Sequence, residues 1–316
     1  MNDVTIHYEE RGEGEPILLI MGLATQMIAW PPQFLDALVE RGYRVIRFDN
    51  RDIGLSTKTD APPPDPRQVL RALAGKRFAK SDYLLENMAE DTIGLLDHLG
   101  IDRAHVVGVS MGGMIAQEVA IRHPERVATL TSIMSNTGNR RGRPSAAFLP
   151  ELSRSLMTPR PTEPAGAIDV GVRAWRLISG PHFNEEEVRA MVAEAVARDT
   201  DPHGRVRQTM AILASPDRTP RLRRLAMPTL VIHGLLDKLV SPSGGIATAR
   251  AIPGSRLLMF PDMAHDLPRP RIPEIVDAIV ANVARRSVSD TTPEGGEAAP
   301  SGSIGHHPTH PGTIPA

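Results

Sequence analysis

A serine stands among glycines in Gly108-Val109-Ser110-Met111-Gly112-Gly113, directly after an apolar run and directly before a helical pattern. The G-x-S-x-G spacing fits a strand-to-helix turn so tight that small residues must flank the serine. Such a turn presents the hydroxyl at the carboxyl edge of a sheet, above a helix N-terminus. A dinucleotide fingerprint would need glycine two positions after Gly108, where Ser110 stands, and a phosphate loop would need Gly-Lys-Ser/Thr, which is missing. A serine at its ordinary pKa is a weak nucleophile and needs a base, itself oriented by an acid.

Eleven histidines compete for the role of base. His98 falls within a helical pattern, His105 within a strand, and His123 at a helix end before Pro124. His233 ends the apolar run Val231–His233 but precedes the expected acid. His265, in Asp262-Met263-Ala264-His265, directly follows the last predicted strand, in a loop opening on the same edge as Ser110. It is the expected base. The acid is expected after the strand Thr229–Ile232, where His233-Gly234-Leu235-Leu236-Asp237-Lys238 supplies Asp237. Asp262 and Asp266 are too close in sequence to His265 for the usual geometry. One strand earlier, Ser135 and Asn136 carry no charge.

Acyl chemistry also needs two donors aimed at the developing oxyanion. One is the backbone N–H of Met111, the residue after the nucleophile. The other is assigned to Leu23, in the loop Met21-Gly22-Leu23-Ala24 that follows the apolar run Ile17–Ile20.

These loops must sit on a common scaffold. Ile17–Ile20, Val45–Phe48, His105–Gly108 and Ala128–Ile133 read as strands, with helices at Pro31–Arg41, Asn87–Leu99 and Met114–Ile121 between them. This alternation predicts an α/β fold, a mainly parallel sheet with helices on both faces. The rhythm breaks from 136 to 224, which holds no convincing strand but has helical patterns at Glu185–Arg198 and Arg205–Leu213. Strands resume at Thr229–Ile232 and Arg256–Phe260, and a helix at Pro273–Ala284 follows. The expected organisation is a core of residues 1–135 and 225–286, a helical insertion at 136–224, and a disordered tail at 287–316, rich in Pro, Gly, Ser and Thr. His306, His307 and His310 in that tail read as solvated.

Composition narrows the class. Lys and Arg total 36 against 37 acidic residues, for a net charge of −1 and a pI near 6.8. That balance is a poor match for nucleic acid or an anionic membrane. Cysteine is absent, which removes disulfides, thiolate nucleophiles and Cys-ligated metal. No stretch approaches the ~18 apolar residues of a membrane span. Met1-Asn2-Asp3-Val4-Thr5 lacks the basic-then-apolar layout of a signal peptide, so a cytoplasmic protein is expected.

Taken together, these motifs resemble those of serine hydrolases of the α/β-hydrolase superfamily, over roughly residues 2–286. The chain order Ser110, Asp237, His265 is that family's order. Phe48-Asp49-Asn50-Arg51-Asp52-Ile53-Gly54-Leu55-Ser56 is similar to the family's stretch after the fourth strand. Trp30-Pro31, Trp175-Arg176-Leu177-Ile178-Ser179-Gly180 and Val106–Met114 resemble the aclacinomycin methylesterase-like branch and actinobacterial esterases and lipases. Met21, where many members carry histidine, fits the same branch. The resemblance implies Ser110 as nucleophile, His265 as base, Asp237 as orienting acid, and Leu23 and Met111 as oxyanion donors. It also implies that the helical insertion is a cap. The family usually opens with two strands, and only Val4–Glu9 is available before Gly12. Either the first strand is missing, leaving a sheet edge open, or the start is misassigned.

The expected activity is hydrolysis of a small-molecule carboxylic ester, of esterase, lipase or methylesterase type, through an acyl-enzyme, without metal or organic cofactor. Lactone or thioester hydrolysis and cofactor-free perhydrolysis use the same residues and stay open. The alternative from another class is a hydrolase-like small-molecule binder. Residues 57–81 hold a short amphipathic helix, Gln68–Ala74, flanked by Arg67, Lys76, Arg77 and Lys80. Packing as a solvated basic helix is the first reading of it, and peripheral lipid contact the second.

Overall fold

The computed structural model describes residues 4–65, 67–68, 71–72, 78–157, 161, 163–199, 201 and 203–289. In Ile17-Leu18-Leu19-Ile20 successive side chains leave on opposite faces, as the two-residue period of a strand requires. Ile17 and Leu19 pack with Trp30, Phe34, Ile275 and Ile279, whereas Leu18 and Ile20 pack with Met88, Leu96, Ile115 and Val119. Both faces are therefore apolar, the signature of a parallel sheet covered on two sides.

The strands are β1 (Tyr8–Arg11), β2 (Glu15–Ile20), β3 (Tyr43–Phe48), β4 (Ala104–Val109), β5 (Val127–Ile133), β6 (Thr229–Gly234) and β7 (Arg256–Phe260). They form a single sheet in the order β1-β3-β2-β4-β5-β6-β7, antiparallel only between β1 and β3. One face is covered by α1 (Pro32–Val39) and the last helix; the other by α2 (Leu85–His98) and α3 (Met111–Arg122). The fold is that of an α/β hydrolase.

The first strand differs from the expected Val4–Glu9. Pairing runs from Tyr8 opposite Phe48 to Arg11 opposite Val45, where Glu9 faces Arg47 at 2.6 Å, a favourable cross-strand pair. Thr5 and His7 are drawn instead to the loop after β3: Thr57 N–H donates to the Thr5 carbonyl at 3.0 Å and Asp49 N–H to that of His7 at 2.9 Å.

Between β5 and β6 lie α4 (Leu149–Met157), α5 (Pro164–Ile178), α6 (Glu185–Arg198), α7 (Gly204–Ala214) and α8 (Thr219–Leu222), with no strand among the described residues there. After β6 come α9 (Ser243–Ala251), β7 and α10 (Ile272–Ser289). Helix α10 continues past Ala284 to Ser289, into the segment expected to be disordered; residues 290–316 lie outside the described residues. So does most of the amphipathic stretch expected at 68–74. Among the described residues, no helix is long and apolar enough to cross a membrane.

Candidate active site

Strand β4 ends at Val109 and α3 begins at Met111, so Ser110 alone makes the turn, at φ 55° and ψ −119°. That left-handed backbone is costly for a residue with a Cβ and needs support from its surroundings. The support is dense. Ser110 N–H donates to the Ile133 carbonyl at 2.9 Å, and the Ser110 carbonyl accepts from Gly113 N–H at 3.0 Å and from Ser135 Oγ at 2.7 Å. The glycines are there for space: a Cβ on Gly108 would stand 2.1 Å from the Gly112 carbonyl oxygen, and one on Gly112 would stand 2.0 Å from that of Ile20.

The structure brings the three residues singled out by sequence into one hydrogen-bonded chain. His265 Nε2 lies 2.9 Å from Ser110 Oγ, and His265 Nδ1 lies 2.7 Å from Asp237 Oδ2. The other carboxylate oxygen of Asp237 accepts from the N–H groups of Leu239 at 3.0 Å and Val240 at 2.8 Å, which fixes its orientation. Asp237 and His265 are both buried. Burial alone would raise the Asp237 carboxyl. The charge of His265 and hydrogen bonds from His233 and His265 outweigh it and hold the carboxyl well below the usual carboxylate range.

The role of His233 was not anticipated, because its contacts depend on the loop folding back. His233 Nε2 donates to the Val240 carbonyl at 2.8 Å and lies 3.3 Å from Asp237 Oδ2. Its Nδ1 is buried, without a hydrogen-bond partner among the described residues, against Gly245, where a Cβ would stand 2.6 Å away. That geometry makes Nε2 the ring's hydrogen-bond donor. The H-x-x-x-D spacing of His233 and Asp237 is the sequence signal that could have raised it. Asp262 and Asp266 face elsewhere: Asp262 pairs with Arg271 and His182, and Asp266 accepts from the N–H groups of Gly180 and Ala264.

Around the serine, the loop after β2 closes in. A Cβ on Gly22 would stand 3.2 Å from Ser110 Cβ and 3.7 Å from its Oγ, so residue 22 borders the hydroxyl directly. Leu23 follows it, and Met111 heads α3, where first-turn N–H groups have no intrahelical acceptor. A chain of carboxylate, imidazole and hydroxyl at these distances can remove the hydroxyl proton as the oxygen attacks. A cavity of about 110 Å³ lies between residues 24–28 and helices α5 and α6, lined by Gln26, Ile28, Gly171, Trp175 and Val192 among others; Ser110 and His265 do not line it.

The sequence pattern of the α/β-hydrolase fold family matches residues 15–268. The chain belongs to that family and is an enzyme of it. It is 28 % identical over 308 residues to a rhodomycin D methylesterase from Streptomyces peucetius, covering 91 % of this chain and 97 % of that one. Among solved structures it is similar to an enol-lactonase from Burkholderia xenovorans LB400, with a TM-score of 0.67 and 26 % identity over 90 % of this chain and 98 % of the other. It is likewise similar to a thermophilic esterase from Thermogutta terrifontis, with a TM-score of 0.65 and 26 % identity over 90 % and 94 % of the two chains.

Proposed function

We propose that the protein is a serine ester hydrolase that works through an acyl-enzyme, with Ser110 as nucleophile, His265 as base and Asp237 as orienting acid. The observation that carries the reading is the unbroken Ser110–His265–Asp237 chain at 2.9 and 2.7 Å. Ser110 Oγ attacks the ester carbonyl carbon while His265 Nε2 takes its proton. The tetrahedral oxyanion is held by the N–H groups of Leu23 and Met111, a type of term among the largest in acyl transfer. His265 then hands the proton to the departing alkoxide, leaving Ser110 acylated. Water, deprotonated by the same nitrogen, releases the acid and restores the serine. Asp237 keeps Nδ1 protonated and stabilises the imidazolium; no step calls for a metal or organic cofactor.

Helices α4 to α8 form the cap in this reading, with residues 136–224 inserted in a core of 1–135 and 225–286. The preferred substrate class is a small carboxylic ester, and the likeness to a methylesterase along 91 % of the chain favours a methyl or other short-alcohol ester. Lactone hydrolysis is the second reading, favoured by the likeness to an enol-lactonase. Purified protein should turn over activated short-chain esters continuously, and a fluorophosphonate should label it once, at Ser110. Ser110→Ala should lose both turnover and label while keeping the wild-type circular dichroism. Steady turnover in the alanine variant, or a label elsewhere, overturns the assignment. A panel of methyl esters and ring-matched lactones ranks the two substrate classes.

A further inference from the structure

The loop after β2 contains a second left-handed residue near the site. Gly22, Leu23, Ala24 and Thr25 form a four-residue turn closed by Thr25 N–H on the Gly22 carbonyl at 3.3 Å, with Ala24 at φ 55°. A turn whose third residue alone has positive φ is of type II character, and glycine or asparagine ordinarily stands there. Alanine does not favour that conformation, so the Leu23–Ala24 peptide plane must be held from outside.

It is held at both ends. Thr25 Oγ1 donates to the Leu23 carbonyl at 3.0 Å. At the other end, Ala24 N–H donates to Gln208 Oε1 at 2.8 Å, across 184 positions of sequence. Gln208 lies in α7, has no solvent exposure, and donates from Nε2 to the Arg51 carbonyl at 2.8 Å. A single amide thus joins an inserted helix to the loop after β2 and to the loop after β3. Nearby, the cavity of about 110 Å³ separates the same β2 loop from α5 and α6. Polar ties bridge that region: Gln26 Nε2 donates to the Ala195 carbonyl at 2.7 Å, and Arg198 donates to Gln26 and Asp49.

We infer that Gln208 is a positioning residue for the oxyanion donor: by holding Ala24 N–H it keeps the Leu23 N–H aimed at the reacting carbonyl, so that the donor is in place only while the inserted helices are seated. This rests on the ester-hydrolase reading above and assigns to α7 a part in that reaction. With Gln208 removed, Ala24 can relax toward negative φ, and the Leu23 amide turns with it. The effect should fall on the transition state, because a tetrahedral oxyanion needs that donor more than a planar ester does.

The test uses Gln208→Met, which matches the shape but carries no amide, and Gln208→Glu. Buried between an N–H and a carbonyl, the glutamic acid can stay protonated, accept from Ala24 and donate to Arg51. On one activated ester, Gln208→Met should lower kcat by about 10- to 100-fold with KM changed less than threefold, since loss of a whole oxyanion donor costs about 100- to 1000-fold. Binding of an aryl trifluoromethyl ketone, which forms a tetrahedral adduct on serine, should weaken in parallel with kcat/KM. Gln208→Glu should recover most of the loss. Thr25→Val, which frees the opposite end of the same peptide, should give the same signature more mildly, and it keeps the test decisive if Gln208→Met does not fold. Unchanged kcat in folded Gln208→Met, or equal kcat loss in both Gln208 variants with unaltered ketone affinity, overturns the inference. If instead the wild type turns over no ester and Ser110 takes no fluorophosphonate, the underlying reading fails, and the inference with it.

Discussion

The backbone N–H of His265 donates to the carbonyl of Ile178 at 3.0 Å, so the loop carrying the imidazole is tied to the last residue of an inserted helix. Asp266 adds a second tie, accepting from Gly180 N–H at 3.1 Å. The loop therefore carries two neighbouring residues with different duties: the ring of His265 faces Ser110 and Asp237, and the carboxyl of Asp266 anchors backbone.

Those duties separate two isosteric substitutions. Asp237→Asn should lower kcat by about four orders of magnitude with the fold retained, as loss of the orienting carboxylate does in serine proteases. Asp266→Asn keeps an acceptor for Gly180 and should stay within a few-fold of wild type. Turnover of both variants on one ester, with circular dichroism, decides it. Asp237→Asn with most of its turnover would place the acid elsewhere.

Asp237 and Asp266 should also pull stability in opposite directions with pH. The Asp237 carboxyl is held low, so its contribution is complete above the ordinary value of 3.8 and fades as pH falls below it. The Asp266 carboxyl is pushed up, chiefly by burial, so its contribution is complete below 3.8 and is lost as pH rises through the raised value. Denaturant titrations from pH 3 to pH 8 should show a shallower acid limb for Asp237→Asn. For Asp266→Asn, which gives up the acceptor for one of its two N–H partners but no longer titrates, they should lose the decline in stability that accompanies rising pH.

The turn at Ser110 stores strain that a pair of variants can read. Ser110→Gly removes the Cβ from a backbone at φ 55°, whereas Ser110→Ala keeps it. The glycine variant should therefore be more stable than the alanine variant by about 1 kcal/mol, net of glycine's larger unfolded-state entropy. Urea unfolding of the two proteins measures the difference, and equal midpoints would mean the turn is relaxed.

Gly112→Ala should do far more damage. Its Cβ would stand 2.0 Å from the Ile20 carbonyl oxygen, a rigid strand atom, so α3 and β2 must separate. Loss of soluble protein, or a fall in stability of about 1–3 kcal/mol or more, is expected. Wild-type melting would show that the helix can shift freely.

Ser110, Asp237 and His265 were legible because each sits in a short local pattern at the end of a strand, and strand ends follow from hydrophobic periodicity. The order of elements was legible for the same reason. Helix ends were not: α3 begins at Met111 rather than Met114, because a turn that is almost all small residues carries no amphipathic signal. Gln208 was invisible, since nothing near it in sequence says that its amide meets Ala24. His233 is set aside as base on sequence because it precedes the acid, and its contact with Val240 follows only from the return of the loop after β6 to its ring. His233→Leu should cost about 1–3 kcal/mol by leaving the Val240 carbonyl unpaired, and it should lower turnover as well. A melting curve beside a rate measurement tests both, and an unaffected variant would make the contact incidental.

The chain leaves the sheet at β5 and returns at β6, and these strands are direct neighbours, with Ile133 opposite Ile232 and Met134 N–H on the Ile232 carbonyl at 2.8 Å. The sheet's register is thus complete without anything that lies between them. The stretch between these strands is a candidate for exchange with that of a relative, the strand pairing on either side being kept. Among the contacts to be matched would be a carbonyl where Ile178 meets His265 and a side-chain acceptor where Gln208 meets Ala24. A graft lacking them would leave the loops that carry Ala24 and His265 without those ties.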